Sequence, residues 1–178
     1  MDHQIFTESI QRIQALLGPT GLPLLEQEVL ERLIHSSGDP ALAPLLRLTP
    51  GACTAASRAL AQGAVILTDT AMAAAAVAPM AARTFANPVH SVLQWAPPLA
   101  PEGQTRAALG MAAALRAHPE AVVLVGRAPT AVELLVRASS FNTSCMQACL
   151  CATMLYSATL RYESVSYTHL TLPTKRIV

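Results

Sequence analysis

The 178-residue sequence has little charge of either sign and few aromatic side chains. Lys plus Arg number 12 against 11 Asp plus Glu, and charged residues make up only 13% of the chain. Without a large field of one sign, nucleic acid or an anionic membrane surface is disfavoured as the main partner. Hydrophobic residues reach 52%, well above ordinary globular usage. A chain so poor in charge often hides further surface between subunits, so we expect an oligomer.

The sequence also lacks the usual signals for secretion, membrane insertion and metal binding. The N-terminus has no basic segment followed by an apolar one, so we expect no secretory signal. Residues 138–160 are uncharged over a membrane-spanning length, but their Ser, Asn, Thr and Gln content argues against a membrane helix. Cys145, Cys149 and Cys151 form a CxxxCxC arrangement that is not a usual zinc or disulfide pattern. We expect reduced thiols, a cytoplasmic protein and no metal.

The first third of the chain shows helical periodicity. A helix with Thr7 as its N-cap is predicted first, followed by a helix from about Pro23 to a stop at Gly38. Residues 41–62 also read as helical, with a break at Thr49-Pro50.

From residue 64 onward, short apolar runs alternate with helical patterns. Strands are predicted at 64–68, 89–95 and 120–125, with helices from about Thr70, over 104–117 and over 131–138. This alternation predicts an α/β fold, a three-layer α/β/α sandwich with a mostly parallel sheet. Ligands bind beyond the carboxyl ends of the strands in such sheets. The candidate positions for a site are therefore Thr68-Asp69, Trp95-Ala96 and Gly126-Arg127.

His35 is the first candidate for chemistry because it lies in the last turn of the second predicted helix. A helix C-terminus favours the imidazolium, typically by about 0.3–1 kcal/mol, and Glu31 one turn earlier would act in the same direction. Such a histidine could serve as a general acid. The alternative is an exposed histidine that merely pairs with Glu31, a common and weak surface interaction.

Asp69 and Arg106 are the other two candidates. Asp69 follows a buried strand, where it could orient a ligand or simply cap the next helix. Arg106 lies at a helix N-terminus, where its charge opposes the helix dipole, so it is suited to a ligand or partner carboxylate. No nucleophile elbow, zinc-protease or phosphate-loop motif is found in residues 1–139.

Several short motifs resemble the precorrin-8X methylmutase family, in that family's order, over about residues 5 to 138. They are Glu8-Ser-Ile10, Ile34-His-Ser-Ser-Gly-Asp39, Leu45-Leu-Arg-Leu-Thr-Pro-Gly51, Gly63-Ala-Val-Ile-Leu-Thr-Asp-Thr70 with Met72, Thr105-Arg106-Ala107, and Gly126 with Ala128-Pro-Thr-Ala131. The resemblance implies an isomerase of cobalamin biosynthesis, an intramolecular methyl transferase. It would shift a methyl group between neighbouring ring-C carbons of precorrin-8X, or of cobalt-precorrin-8, giving hydrogenobyrinic acid or cobyrinic acid.

The resemblance also implies roles for individual residues. His35 matches the catalytic histidine, a general acid that protonates the macrocycle, while Ser9 and Arg106 match residues that line the substrate pocket. Thr105 and Asp69 match motif positions near that pocket. The family implies a tetrapyrrole substrate, no cofactor and a homodimer.

Three departures from the family pattern stand out. Ala73 to Ala76 replace a usual glycine, and Arg127 replaces a usual asparagine. The family's Gly-Pro-Val-Gly-Phe-Val segment and glycine-rich final strand do not follow the last predicted helix. We therefore expect residues 1–139 to form an incomplete methylmutase domain without the family's final strand and helix. We assign no domain to residues 140–178, of which 164–178 resemble translated sequencing-adapter sequence rather than biological sequence.

Two other functions are consistent with the same residues. One is a catalytically inactive tetrapyrrole-binding or carrier homologue, which would keep the pocket without needing His35. The other is a non-enzymatic α/β interaction domain whose apolar faces only build an oligomer.

Overall fold

A computed structural model describes residues 4–126, 128–139 and 149–151, and it confirms the predicted α/β class. The described elements, in chain order, are α1 (Gln4–Leu17), α2 (Leu24–Ser37), α3 (Ala52–Ala61), β1 (Ile66–Thr68), α4 (Ala71–Arg83), β2 (Val89–Ser91), α5 (Arg106–Ala117), β3 (Val122–Val125), α6 (Pro129–Ser139) and β4 (Cys149–Cys151). Two 3-10 helices, Pro40–Leu45 and Val92–Trp95, complete them.

The four strands form one parallel sheet in the order β2-β1-β3-β4. Ile66 of β1 is in register with Val89 of β2 on one side and with Val122 of β3 on the other. After β1 the chain forms β2 on one side of that strand, and it later crosses back to form β3 on the other side of β1. The point of reversal is the gap between the carboxyl ends of β1 and β3, where open α/β sheets bind their ligands.

Helices cover both faces of the sheet, as predicted for a three-layer sandwich. Leu67 and Val123 point toward one face, where they pack with Met111 of α5 and Leu135 of α6. Ile66 points toward the opposite face, which α3 and α4 cover. Side chains that alternate between two covered faces explain why the strands read as continuous apolar runs in the sequence.

Helices α1 and α2 form a hairpin with a small core of its own. Its buried side chains are Ile13, Leu30 and Ile34. Helix α2 ends as predicted at Gly38, which adopts the left-handed conformation (φ 69°) and donates its backbone N–H to the carbonyl of Ile34. A glycine fits this position without the steric cost that a Cβ would bring.

Two predicted boundaries in the first third of the chain were wrong. Thr7 is not an N-cap, because α1 begins at Gln4 and Thr7 lies inside its first two turns. Residues 40–45 form a 3-10 helix instead of an α-helix. Proline at positions 40 and 44 explains this, since a proline inside a helix has no N–H for the regular hydrogen bond.

The second strand is shorter than the predicted 89–95. It ends at Ser91, whose hydroxyl accepts a hydrogen bond from the backbone N–H of Leu93 (3.3 Å) and starts the 3-10 helix Val92–Trp95. Trp95 consequently does not extend the carboxyl edge of the sheet. Its ring packs against His90 and His118, at centroid distances of 5.7 and 5.5 Å. His118 caps the C-terminus of α5, shortly before β3 begins, so this aromatic cluster lies toward the amino edge.

Strand β4 lies in the part of the chain where the sequence showed no periodicity. Its register pairs Val123 with Cys149 and Val125 with Cys151. Gly63 precedes β1 and Asn87-Pro88 precedes β2, whereas no glycine or proline marks the start of this strand, so it was not predicted.

Candidate functional site

Ser9 and His35 form a direct pair across the helix hairpin. The Ser9 Oγ lies 2.8 Å from the His35 Nδ1, although the two residues are 26 positions apart in sequence. His35 is exposed in the last turn of α2, and Ser9 lies in the middle of α1. A hydroxyl both donates and accepts, so it can hold the imidazole ring in either protonation state. The arrangement leaves Nε2 as the nitrogen that can exchange a proton with a ligand.

Phe6 and Arg32 surround this pair, and sequence reasoning missed both. The Phe6 ring packs nearly perpendicular to the His35 ring, with centroids 5.0 Å apart and an interplanar angle of 84°. The Arg32 guanidinium carbon lies 4.6 Å from the centre of the same Phe6 ring. The available signal was spacing, since Phe6 is three residues before Ser9 and Arg32 three before His35. Residues at this spacing share one face of a helix.

Glu31 does not act on His35 as the sequence had suggested. Its side chain is buried, and its Oε1 accepts hydrogen bonds from Gln14 Nε2 (2.9 Å) and Gln27 Nε2 (2.7 Å). A buried carboxylate requires such donors, and two glutamines in the hairpin interface supply them. The alternative of a surface His–Glu pair is therefore wrong, and the partner of His35 is Ser9.

Asp69 lies at the point where the sheet order reverses. It is 1% exposed at the carboxyl end of β1, and its Oδ2 accepts a hydrogen bond from the backbone N–H of Ala128 (2.9 Å). The N-cap of α4 is instead Thr70, whose hydroxyl accepts from the N–H of Ala73. Asp69 thus joins the end of β1 to the residue before α6, and the alternative in which it simply caps the next helix was wrong.

Thr105 and Arg106 lie at the start of α5. Thr105 caps the helix, and its hydroxyl also lies 2.7 Å from the Oγ1 of Thr130 in α6. Both helices therefore begin side by side at the carboxyl edge of the sheet. Arg106 is exposed, and its Nε donates to the carbonyl of Pro97 (2.8 Å). Among the described residues no carboxylate lies within ion-pair distance of Arg106.

Each predicted site residue thus has a place at the hairpin or at the carboxyl edge of the sheet. Ser9 and His35 are in contact, and Thr105 and Arg106 are neighbours at the start of α5. Thr130 joins the second group and had been noticed only as part of a turn motif. Of the departures from the family pattern, Ala73 to Ala76 lie inside α4, while Arg127 is outside the described residues.

The residues that the structure describes offer no group of three or more His, Cys, Asp or Glu side chains suited to a metal ion. Within the same part of the chain, no helix is long and apolar enough to cross a membrane.

Comparison with known proteins places the chain in one family. The family model described as CbiC, precorrin-8X methylmutase, matches residues 4–147. A cobalt-precorrin-8 methylmutase from Synechocystis sp. is 30% identical over 78% of this chain and 70% of its own length. A precorrin-8X methylmutase from Pseudomonas aeruginosa is 38% identical over 74% of this chain and 64% of its own. This chain therefore spans about two thirds of the length of these relatives.

Solved structures agree with the sequence comparison. A crystal structure of a precorrin-8X methyl mutase from Thermus thermophilus has a TM-score of 0.65 and 34% identity, over 76% of this chain and 68% of its own. A precorrin-8X methylmutase related protein has a TM-score of 0.63 at 25% identity, over 76% and 72%. The fold, the order of the motifs and the matched range together show that the chain belongs to the precorrin-8X methylmutase family, isomerases of cobalamin biosynthesis.

Proposed function

We propose that this chain catalyses the methyl shift of its family, with His35 as the general acid. The substrate is precorrin-8X or cobalt-precorrin-8, and the product is hydrogenobyrinic acid or cobyrinic acid. The observation that carries the proposal is the 2.8 Å contact between Ser9 Oγ and His35 Nδ1, because it orients an exposed imidazole with Nε2 directed away from the hairpin pair. A proton donor must be held in this way before it can act on a bound ligand.

In the proposed mechanism the imidazolium of His35 donates its Nε2 proton to the macrocycle. Protonation makes the carbon framework beside ring C electron-poor, and the methyl group migrates with its bonding electrons to the neighbouring carbon. Loss of the proton from the rearranged macrocycle returns it to Nε2, so the reaction is an isomerisation without net consumption of protons. Throughout this cycle the Ser9 hydroxyl accepts a hydrogen bond from Nδ1–H, which fixes the ring orientation.

The remaining candidate residues serve to bind the substrate. Arg106 has no carboxylate partner among the described residues, and the substrate carries several carboxylates that a guanidinium binds well. Thr105 and Asp69 shape the carboxyl edge of the sheet beside it.

We further propose that the protein is a cytoplasmic homodimer. Sedimentation velocity would then give twice the 18.7 kDa mass of one chain, and a single 18.7 kDa species would contradict this part.

The test is the visible spectrum during incubation with precorrin-8X, compared between wild type, His35→Ala and His35→Gln. A lost general acid typically costs about 10²–10⁴-fold in rate, and glutamine can hydrogen-bond but cannot donate a proton in this way. We expect both variants to lose turnover at this scale while they still bind hydrogenobyrinic acid. A carrier homologue gives a different result, in which wild type binds the product without any turnover. An interaction domain shows no change in the product's visible bands at all.

A further inference from the structure

The Phe6 ring is contacted by two side chains that can both carry positive charge. His35 packs against it with centroids 5.0 Å apart, and the Arg32 guanidinium lies over it at 4.6 Å. One aromatic ring therefore separates the proton-donating residue from a guanidinium. Phe6 and Arg32 are both only partly buried, so solvent and ligands can reach this cluster.

The guanidinium N–H groups of Arg32 are available to a ligand. The contact with the Phe6 ring face needs no hydrogen-bond acceptor, so the guanidinium fork remains able to donate to an oxygen ligand. No described residue accepts a hydrogen bond from Arg32, and the salt bridge found among the described residues joins Arg137 to Glu133 instead. The planar fork of a guanidinium binds carboxylates in a two-pronged arrangement.

We propose that Arg32 binds a carboxylate of the substrate beside His35, and that Phe6 is the positioning residue that holds both side chains at this spacing. The inference rests on the proposed function, since it requires a polycarboxylate ligand at His35. It assigns the hairpin a binding role of its own, in addition to Arg106 at the carboxyl edge of the sheet. The competing explanation is that Arg32 only stabilises the hairpin through its contact with Phe6.

Arg116 provides a matched control away from the hairpin. It is an exposed helical arginine in the last turn of α5, toward the amino edge of the sheet, so Arg116→Gln removes the same charge without disturbing the cluster. Arg32→Lys keeps the charge but loses the planar two-pronged donor.

The experiment measures hydrogenobyrinic acid binding by visible absorbance, together with kcat and KM, for the full chain and these variants. Loss of one charge-assisted pair should weaken product binding by about tenfold in Arg32→Gln and raise KM with little change in kcat. Arg116→Gln should stay within about twofold of wild type, because exposed charges away from the ligand contribute little. At about 1 M salt the difference between wild type and Arg32→Gln should shrink, since screening weakens an exposed ionic contact.

Phe6→Leu tests the positioning role. Leucine keeps apolar bulk but removes the ring, so KM should rise as in Arg32→Gln and kcat should also fall because His35 loses its packing partner. Phe6→Tyr restores the ring and should restore both parameters. Thermal unfolding of every variant, followed by far-ultraviolet circular dichroism, checks that α1 and α2 are still folded.

The outcomes separate the inference from the function on which it rests. Unchanged affinity and KM in a folded Arg32→Gln variant, beside an active wild type, would overturn the role of Arg32. A loss of thermal stability without any change in KM would also overturn it and would leave the hairpin-stabilising explanation. Failure of wild type itself to bind or convert the tetrapyrrole would instead overturn the proposed function and the inference together.

Discussion

Ser9 offers His35 a partner with both a donor and an acceptor. A carboxylate at this place would favour the imidazolium, and an amide N–H would favour the neutral ring. The hydroxyl is compatible with both states, as a residue that gives up and regains a proton in each turnover requires. The 2.8 Å contact therefore orients the acid without fixing it in one protonation state.

Removing the Ser9 hydroxyl should lower turnover more than substrate binding. Loss of a hydrogen bond contributing about 0.5–1.5 kcal/mol predicts a fall in kcat of up to about tenfold for Ser9→Ala, with KM little changed. Ser9→Thr retains the hydroxyl and should recover most of the rate. Steady-state kinetics on the three proteins checks this, and equal kcat for Ser9→Ala and wild type would contradict the orienting role.

The buried thiol of Cys53 should make the stability of the fold depend on pH. Burial raises the pKa of its thiol above the ordinary value of 9.0, and the nearby Glu26 carboxylate acts in the same direction. The folded protein therefore holds this proton more tightly than the unfolded chain. The resulting stability is fully present below pH 9 and is lost as the pH rises through the raised value.

The test compares the free energy of unfolding above pH 9 between wild type and two variants, measured by denaturant titration. This free energy should fall more steeply with pH in wild type than in Cys53→Ala, and Glu26→Gln should show an intermediate slope because the burial contribution remains. Parallel slopes in wild type and Cys53→Ala would contradict the assignment.

At the scale of elements, the contact between α5 and the 3-10 helix Val92–Trp95 depends on Gly110. A Cβ at this residue would lie 2.2 Å from the backbone carbonyl oxygen of Val92, which cannot move aside like a flexible side chain. The close approach explains why α5 contains a glycine among alanines. The 3-10 helix that begins after Ser91 packs against α5 at this glycine.

Gly110→Ala should destabilise the fold despite the better helix propensity of alanine. Propensity would contribute about 1 kcal/mol of stability, but overpacking costs about 1–3 kcal/mol and the 2.2 Å approach to a backbone atom favours the upper end, so we expect a net loss of roughly 2 kcal/mol. Ala113→Gly, at an interior position of the same helix that lies outside the buried core, measures the propensity effect. A Gly110→Ala protein as stable as wild type would show that α5 can shift away from Val92.

Most element types were predictable, apart from the two 3-10 helices and β4, whereas contacts between elements were not. The stop at Gly38 and the helix start after Thr70 follow from local chemistry, namely a left-handed cap and a hydroxyl cap. The contact of Phe6 with His35 joins two helices, and no local pattern encodes it. Glu31 was misassigned for the same reason, because its glutamine partner Gln14 comes from another helix.

At the scale of the whole molecule, the candidate acid and the sheet belong to separate cores. Among the described residues, the hairpin core contains three buried apolar side chains, Ile13, Leu30 and Ile34, whereas the cluster between the sheet and α5 and α6 contains ten. Regions with less buried apolar surface open at lower free energy. The residues proposed to do chemistry therefore lie on the less stable unit.

Amide hydrogen exchange should resolve this difference. We expect the backbone N–H groups at Ile13 and Leu30 to exchange faster than those at Leu67 and Val123, which lie in the larger core. A tetrapyrrole bound at the hairpin should slow the first pair selectively, because binding to the closed state stabilises it. Equal protection of both pairs would mean that the hairpin and the sheet unfold as one unit.

Trp95 is the one tryptophan of the chain, and it packs against the larger core beside His90 and His118. Its emission therefore reports whether the sheet and α5 are assembled, because its described ring contacts belong to β2 and to the end of α5 and not to α1 or α2. Opening of the hairpin would thus leave the tryptophan fluorescence unchanged. A sample could show native fluorescence after the Ser9–His35 pair had separated. Far-ultraviolet circular dichroism would detect the lost helices, so unfolding curves from the two methods should not coincide.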